Sequence, residues 1–94
     1  MQVTGKAIEV SQIEKGQGRN GEWQRMSIVV EYDDNGYKKH VSVEFMNKKV
    51  EFASKVRRGD NVTVDFNVES RKGANGKWYT SASGWRIKTD DLPY

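Results

Sequence analysis

Two short segments of this chain place aromatic rings next to positively charged side chains. Trp23 is followed two residues later by Arg25, and Lys77 is followed directly by Trp78 and Tyr79. A cation of this kind attracts phosphate groups, whereas an exposed ring stacks on another planar group. The pattern therefore predicts recognition of a ligand that carries both phosphates and planar bases, as an unpaired nucleic-acid strand does.

The end of the sequence has a different chemistry. Asp90 and Asp91 precede Leu92, Pro93 and Tyr94, so two carboxylates lead into a short apolar and aromatic peptide. The fixed proline ring lowers the entropy that the peptide loses when it becomes ordered, and a basic nest over an apolar pocket can capture such a peptide. We therefore expect these five residues to bind a partner protein.

The sequence predicts neither a catalytic site nor a metal site. Cysteine is absent and His40 is the sole histidine, which removes thiolate catalysis and the usual zinc sites. Gly16, Gly18 and Gly21 have the G-x-G-x-x-G spacing, but they lead to Trp23 and a predicted strand rather than to a helix N-terminus. We interpret this segment as a flexible loop and expect a protein that is not an enzyme and has no cofactor.

The composition indicates one small domain with a mildly basic body. The chain has 94 residues, of which 35% are hydrophobic, and no apolar run approaches the roughly 20 residues of a membrane span. Without a signal segment, the expected location is the cytoplasm. The 16 basic and 13 acidic residues give a net charge of +3; leaving out Asp90 and Asp91 leaves 11 acidic residues and a charge of +5. This balance suits a polyanionic ligand.

Alternation of apolar and polar residues predicts a chain built mainly of strands. In the clearest strand, Val62, Val64, Phe66 and Val68 share one face, which we expect to form core. Asn35-Gly36 is typical of a two-residue hairpin turn, because both residues tolerate a positive φ. Five strands are predicted in all, over residues 2–13, 22–32, 37–46, 62–69 and 77–88.

A short amphipathic helix is predicted between the third and fourth strands, over residues 47–56. Val50, Ala53 and Val56 recur at helical spacing, and Asn47 is a candidate for the N-cap. In the first strand, Gly5 favours a bend that lets a long strand curl. Three strands, a helix and two further strands are typical of the OB-fold, a five-stranded Greek-key barrel.

Several motifs resemble those of short bacterial and phage OB domains that are similar to single-stranded-DNA-binding proteins. Residues 59–64, with the sequence GDNVTV, resemble the turn that opens the fourth strand of such domains, and GKWYT at 76–80 resembles their last hairpin. The last five residues resemble the family's acidic tip, with Tyr94 in place of a phenylalanine. We therefore predict an all-β OB-fold domain over residues 1–88 and an acidic interaction tip over residues 89–94.

The resemblance also implies a function. It implies a protein that coats single-stranded DNA and recruits replication, repair or recombination proteins through its tip, and it favours a homodimer. An OB barrel binds nucleic acid on its second and third strands and on the loops that join strands one to two and four to five. The predicted contacts on these elements are Arg19, Trp23, Arg25, Lys38, His40, Arg71, Lys72, Lys77, Trp78 and Tyr79, and the predicted partner-binding residues are Asp90, Asp91, Leu92, Pro93 and Tyr94.

Not every aromatic ring is expected to contact the ligand. Strand alternation predicts that one of Trp78 and Tyr79 points inward, and Trp85, which is in register with Ile87, is predicted to lie in the core. Two other functions use the same residues. An RNA-binding OB domain would present the same surface, and a protein-interaction barrel would bury Trp23 and Trp78 or use them in a subunit interface.

Overall fold

The computed structural model describes residues 1–89, and the predicted partner-binding residues 90–94 lie outside the described residues. The described chain is mostly strand with one short α-helix, as predicted, but it has six strands rather than five. These are β1 (Gln2–Val10), β2 (Glu14–Gly18), β3 (Gly21–Asp34), β4 (Tyr37–Met46), β5 (Asn61–Lys72) and β6 (Trp78–Thr89); a 3-10 turn (Asn47–Lys49) and the helix α1 (Val50–Ala53) separate β4 from β5.

The additional strand lies in the glycine-rich segment for which the sequence predicts a flexible loop. There β2 pairs with the beginning of β3 in an antiparallel hairpin, with Gly16 opposite Trp23. A Cβ atom at Gly16 would collide with the Trp23 ring and would stand only 2.6 Å from its Cε2. This glycine is therefore explained by the close packing of an aromatic ring on the neighbouring strand, not by chain flexibility.

The pairings of the other five strands form a closed circuit. β1 pairs with β3 and β5, β3 with β4, and β5 with β6, all antiparallel. A short parallel contact closes the circuit, in which Val43 and Glu44 of β4 lie opposite Ala82 and Ser83 of β6. Within residues 1–89, β2 pairs with β3 and stands at the edge of the sheet.

The core fills the inside of this circuit, and strand alternation selects its members as predicted. The predicted hairpin turn is confirmed too, with φ angles of 52° at Asn35 and 87° at Gly36. The strands β1, β3, β4 and β5 each contribute buried apolar residues from one face, and β6 adds the partly buried Ala82 and Ile87. The segment between β4 and β5 covers one end. The buried apolar residues are Val3, Ala7, Met26, Ile28, Val30, Val43, Phe45, Val50, Ala53, Val56, Val62, Val64 and Phe66.

The predicted cap of the helix is wrong. Asn47 has a φ of 54°, and its side-chain oxygen accepts a hydrogen bond of 3.3 Å from the backbone N–H of Gln24 instead of capping a helix. The helix itself has four residues, shorter than the predicted segment 47–56. In the described part of the chain, no helix has the length and apolar character needed to cross a bilayer.

The β5–β6 hairpin extends beyond the core. The last pair of this hairpin that belongs to the core is Phe66 with Gly84. The next pair on the same face, toward the hairpin tip, is Val68 with Ala82, and at Ala82 the pairing of β6 with β4 ends. Val68 is 49% exposed, so the prediction that it lies in the core is wrong. We call residues 67–83 the arm. Between Ala82 and the hairpin tip, the arm is a two-stranded ribbon with solvent on both faces.

Trp85 is exposed and not part of the predicted core. The register of β5 and β6 shifts between Asp65 and Phe66, so Trp85 is the extra residue of a β-bulge. A bulge changes the direction of its side chain, which leaves the ring 45% exposed. Simple alternation from Ile87 assigned Trp85 to the wrong side because it did not include this extra residue.

We predict that Gly5→Ala strongly destabilises the fold. At Gly5, β1 crosses so close to β3 that a Cβ atom would collide with the carbonyl oxygen of Glu31. Since backbone atoms cannot move aside, the substitution should cost about 1–3 kcal/mol of unfolding free energy, as overpacking does. Urea unfolding followed by circular dichroism measures this change.

Gly18→Ala is the matched control for this prediction. A Cβ atom there would lie 3.6 Å from the Trp23 ring, an ordinary van der Waals distance. This variant should unfold within about 0.5 kcal/mol of the parent, as surface substitutions usually do. Equal losses in the two variants would contradict the packing argument at Gly5.

Candidate nucleic-acid interface

The predicted contact residues form three groups rather than one cluster. Arg19, Trp23 and Arg25 lie on the β2–β3 hairpin, whereas Lys38 and His40 lie toward the other end of the β3–β4 pair. His40 is opposite Glu31, which is eight residues along β3 from Trp23, or roughly 26 Å at about 3.3 Å per residue. The remaining predicted residues, Arg71, Lys72, Lys77, Trp78 and Tyr79, are on the arm.

The arm places each of its aromatic rings directly across from a cation. Trp78 is paired with Lys72, and Tyr79 is paired with Arg71. The rings are 67% and 57% exposed, respectively. The prediction that one of them is buried is wrong, because the ribbon has left the core at this point. The alternation behind that prediction still holds, since the two rings lie on opposite faces of the arm.

Tyr79 also holds the tip of the arm in shape. Its hydroxyl accepts a hydrogen bond of 2.9 Å from Asn75 Nδ2, while Asn75 Oδ1 accepts one of 3.0 Å from the backbone N–H of Lys77. One side of the Tyr79 ring covers Gly73, where a Cβ atom would lie 2.7 Å from the ring. The tip is therefore an ordered turn, and Tyr79 is still largely exposed.

The charges of the arm are only weakly compensated. Arg71 lies 3.7 Å from Glu69, and both side chains are largely exposed. Within residues 1–89, Lys72 and Lys77 have no carboxylate within 4.0 Å. Since exposed ion pairs contribute little and are screened by salt, all three cations of the arm are available to an anionic ligand.

The cations on the β3–β4 face, in contrast, share one carboxylate. Glu31 accepts a hydrogen bond of 3.3 Å from Lys38 Nζ and lies 3.1 Å from His40 Nε2. The bonds from His40 and Lys38 lower the pKa of Glu31 below its usual value of 4.5. Glu31 therefore stays ionised at neutral pH, and its pair with Lys38 is lost as the pH falls through this lowered pKa, whereas its contact with His40 is an ion pair only when the imidazole is protonated.

The third predicted group is also engaged in local contacts. Arg25 Nε donates a hydrogen bond of 2.7 Å to Glu14 Oε2, which raises the pKa of Arg25. Its guanidinium lies 5.4 Å from the centroid of the half-buried Trp23 ring. Since Gly16 covers part of that ring, Trp23 is a less accessible stacking platform than Trp78. Arg19 is exposed in the turn between β2 and β3.

The strand register shows which of these residues share a surface. Glu44 on the outer face of β4 lies opposite Ser83, and Tyr79 is on the same side of β6 as Ser83. The Arg71–Tyr79 face of the arm is therefore continuous with the outer face of β4, which carries Lys38 and His40. We call this continuous face the outer surface. The Lys72–Trp78 face of the arm continues the core side of the strands and points away from the outer surface.

Sequence reasoning missed two further exposed rings, Tyr37 and Phe52. Tyr37 directly follows the Asn35-Gly36 turn and is 73% exposed. By register it lies on the core side of β4, but beyond the end of the core, as Trp78 does on the arm. The sequence could have indicated this exposure, because Tyr37 lies next to a predicted hairpin turn and residues beside a turn often lie beyond the last buried pair of the strands.

Comparisons with solved structures identify the fold. The second OB-fold domain of replication protein A from Methanococcus maripaludis matches with a TM-score of 0.68 and 15% identity, over 99% of this chain and 85% of that one. The mitochondrial single-stranded-DNA-binding protein Rim1 from S. cerevisiae matches with a TM-score of 0.63 and 17% identity, over 96% and 92%. The small single-stranded-DNA-binding protein from Streptomyces coelicolor matches with a TM-score of 0.52 and 19% identity, over 97% and 94%.

These likenesses establish a shared OB fold, with β2 as a sixth strand in this chain. No curated protein has a matching sequence. Residues 2–88 match the family model described as "Domain of unknown function (DUF3127)". Since this match spans nearly the whole chain, the protein belongs to the DUF3127 family of domains of unknown function.

Proposed function

We propose that this protein binds single-stranded DNA along the outer surface and the arm, without catalysing a reaction. The observation that carries the proposal is the pairing of two exposed rings with two cations on the arm, Trp78 with Lys72 and Tyr79 with Arg71. Unpaired bases stack on such rings while phosphates bind the neighbouring cations. A duplex offers the phosphates but keeps its bases stacked inside.

The proteins of known structure that share the fold support this proposal. Two of them are single-stranded-DNA-binding proteins, one mitochondrial from S. cerevisiae and one from Streptomyces, and the third is an OB-fold domain of replication protein A. The arm of this chain is the hairpin that joins the last two strands, one of the connections through which OB folds bind oligonucleotides. Fold likeness and surface chemistry therefore indicate the same ligand.

Binding on the β3–β4 face involves an exchange of partners. Lys38 and His40 are held by Glu31 in the free protein, and a phosphate has to replace this carboxylate before it can bind either side chain. The exchange yields less free energy than the binding of a phosphate to an uncompensated lysine. We therefore assign most of the affinity to the arm, and the β3–β4 face sets the path of the strand.

We further propose that residues 90–94 recruit DNA-processing proteins. The two carboxylates attract a basic partner site, and Leu92, Pro93 and Tyr94 supply the apolar contact. The same carboxylates compete with DNA for the cations of the body, whose charge without Asp90 and Asp91 is +5. In this proposal, partner binding and DNA binding influence each other through shared charges.

We predict that Trp78→Ala weakens binding to a thymidine oligomer long enough to reach both faces of the arm by roughly 5- to 150-fold, because stacking on one ring is worth about 1–3 kcal/mol per base. The measurement is the fluorescence anisotropy of a labelled oligomer, at one fixed salt concentration. Trp85→Ala is the matched control, since it removes an exposed indole that is not on the arm. Its affinity should stay within about twofold of the parent, as for a ring that makes no stacking contact.

Two further ligands complete this test. A duplex of equal phosphate content should bind far more weakly than the single strand, and a uridine oligomer shows whether the sugar matters. Equal losses in the Trp78 and Trp85 variants would rule out stacking on the arm as the basis of binding. If the parent protein does not bind the thymidine oligomer in this assay, the whole proposal is wrong.

We predict that Glu31→Gln tightens DNA binding at low salt by roughly two- to fivefold, because it releases Lys38 and His40 to bind phosphates. The dependence of log affinity on log salt should become steeper as well, by about 0.7 for each additional phosphate that the protein neutralises. Glu51→Gln is the charge-matched control, since it removes one exposed carboxylate from α1. If both variants tighten binding equally, net charge rather than the release of these two side chains explains the effect.

We predict that removing residues 90–94 tightens DNA binding at low salt and that the difference shrinks as salt is added, since the competition is electrostatic. Full-length protein with Asp90→Asn and Asp91→Asn should behave like the truncated protein, because it lacks the same charges. Isothermal titration at two salt concentrations measures both. Unchanged affinity after truncation would contradict a competition between the tip and DNA.

A further inference from the structure

The face of the arm that points away from the outer surface is a binding surface in its own right. Its residues alternate with those of the Arg71–Tyr79 face along both strands, and the hydroxyls of Ser70 and Thr80 lie 2.9 Å apart on it. We call it the rear face. It consists of Val68, Ser70, Lys72, Trp78, Thr80 and Ala82.

The chemistry of the rear face matches a polyanion with planar groups. Trp78 is the more exposed of the two arm rings and lies across from Lys72. No acidic residue is on this face, whereas the opposite face has Glu69 beside Arg71. A protein partner would fit the apolar residues Val68 and Trp78, but the uncompensated lysine beside the ring fits a phosphate next to a stacked base.

The two faces cannot serve neighbouring nucleotides of one short strand. Trp78 and Tyr79 are consecutive residues with opposite directions, so the ribbon itself separates the two rings. A strand stacked on Tyr79 has to leave the outer surface and pass around the arm before it reaches Trp78. Two separate segments, in contrast, can occupy the two faces without any bending.

We propose that one arm holds two single-stranded segments at once, one on each face. The proposal rests on the single-stranded-DNA binding proposed above and adds a second site for the same chemical class of ligand. Two strands held on opposite sides of one β-ribbon are brought close together, which raises their effective concentration for one another. The protein then acts as a bridge between strands as well as a coat.

The sequence of the arm allows a test that does not depend on the oligomeric state. Trypsin cleaves after Lys77 and after Arg86, so both rings fall in one peptide, residues 78–86. The full-length protein is irradiated with an excess of a thymidine tetramer, digested and examined by mass spectrometry with fragmentation. We expect a population of this peptide that carries two oligomers, one on Trp78 and one on Tyr79, because both sites of one chain are filled together.

Variants assign each oligomer to a face. Lys72→Ala should raise the oligomer concentration that gives half of the maximal double adduct by roughly tenfold, the loss of affinity expected for one charge-assisted hydrogen bond, and should leave the adduct on Tyr79 in place. Trp85→Ala should retain the double adduct, which excludes the third ring in the peptide as the second site. A second oligomer that maps to Trp85 would overturn the proposal.

The remaining outcomes are equally decisive. If adducts on Trp78 and Tyr79 form but never on the same peptide at saturating oligomer, the two faces share one strand and the proposal is wrong. If only Tyr79 reacts and Lys72→Ala changes the mass measured by light scattering, the rear face is a contact between copies of this chain. If the anisotropy titration shows no DNA binding at all, the function itself fails, which is a separate result from the failure of the second site.

Discussion

The contact between Phe45 and Gly84 determines where the core of this protein ends. Phe45 is almost completely buried, and a Cβ atom at Gly84 would lie only 2.6 Å from its Cζ. Because no side chain separates them, β6 comes close enough to β4 to form the short parallel pairing that closes the strand circuit. On one side of this contact the strands enclose the core, and on the other side, past the pairing of β4 with Ala82, β5 and β6 continue without neighbours as the outer part of the arm.

The sequence predicted the elements better than their ends. Strand alternation and the helical spacing of Val50, Ala53 and Val56 found the core, because these are local patterns. The exposure of Val68 and Trp78 depends on where β4 and β6 stop pairing, which no local pattern reports. Trp85 was assigned to the core because a one-residue bulge reverses alternation. The strand β2 was missed because its glycines were interpreted as signs of a loop, whereas Gly16 leaves room for the Trp23 ring on the neighbouring strand.

Part of the electrostatics could have been predicted. The Asn35-Gly36 turn fixes the register of β3 and β4, and this register places Glu31 opposite His40. Counting residues outward from the turn therefore identifies Glu31 as the carboxylate that contacts Lys38 and His40, which are two of the predicted nucleic-acid contacts. The ion pair of Arg25 with Glu14, in contrast, required knowledge of β2. Net charge alone did not distinguish the compensated cations of the β3–β4 face from the available cations of the arm.

The absence of neighbours gives the arm both its exposed surface and its main weakness. A two-stranded ribbon is marginal by itself in water, so its order depends on contacts within the ribbon, above all on the packing of Tyr79 against Gly73 and its bond to Asn75. A tip that is ordered before binding loses less entropy when a strand arrives. Tyr79 therefore contributes to binding by shaping the arm as well as by stacking, whereas Trp78, which makes no such bond within the described chain, contributes through its ring. The two rings are alike in exposure but not in mechanism, and a loss of affinity after removal of Tyr79 includes the cost of ordering the tip.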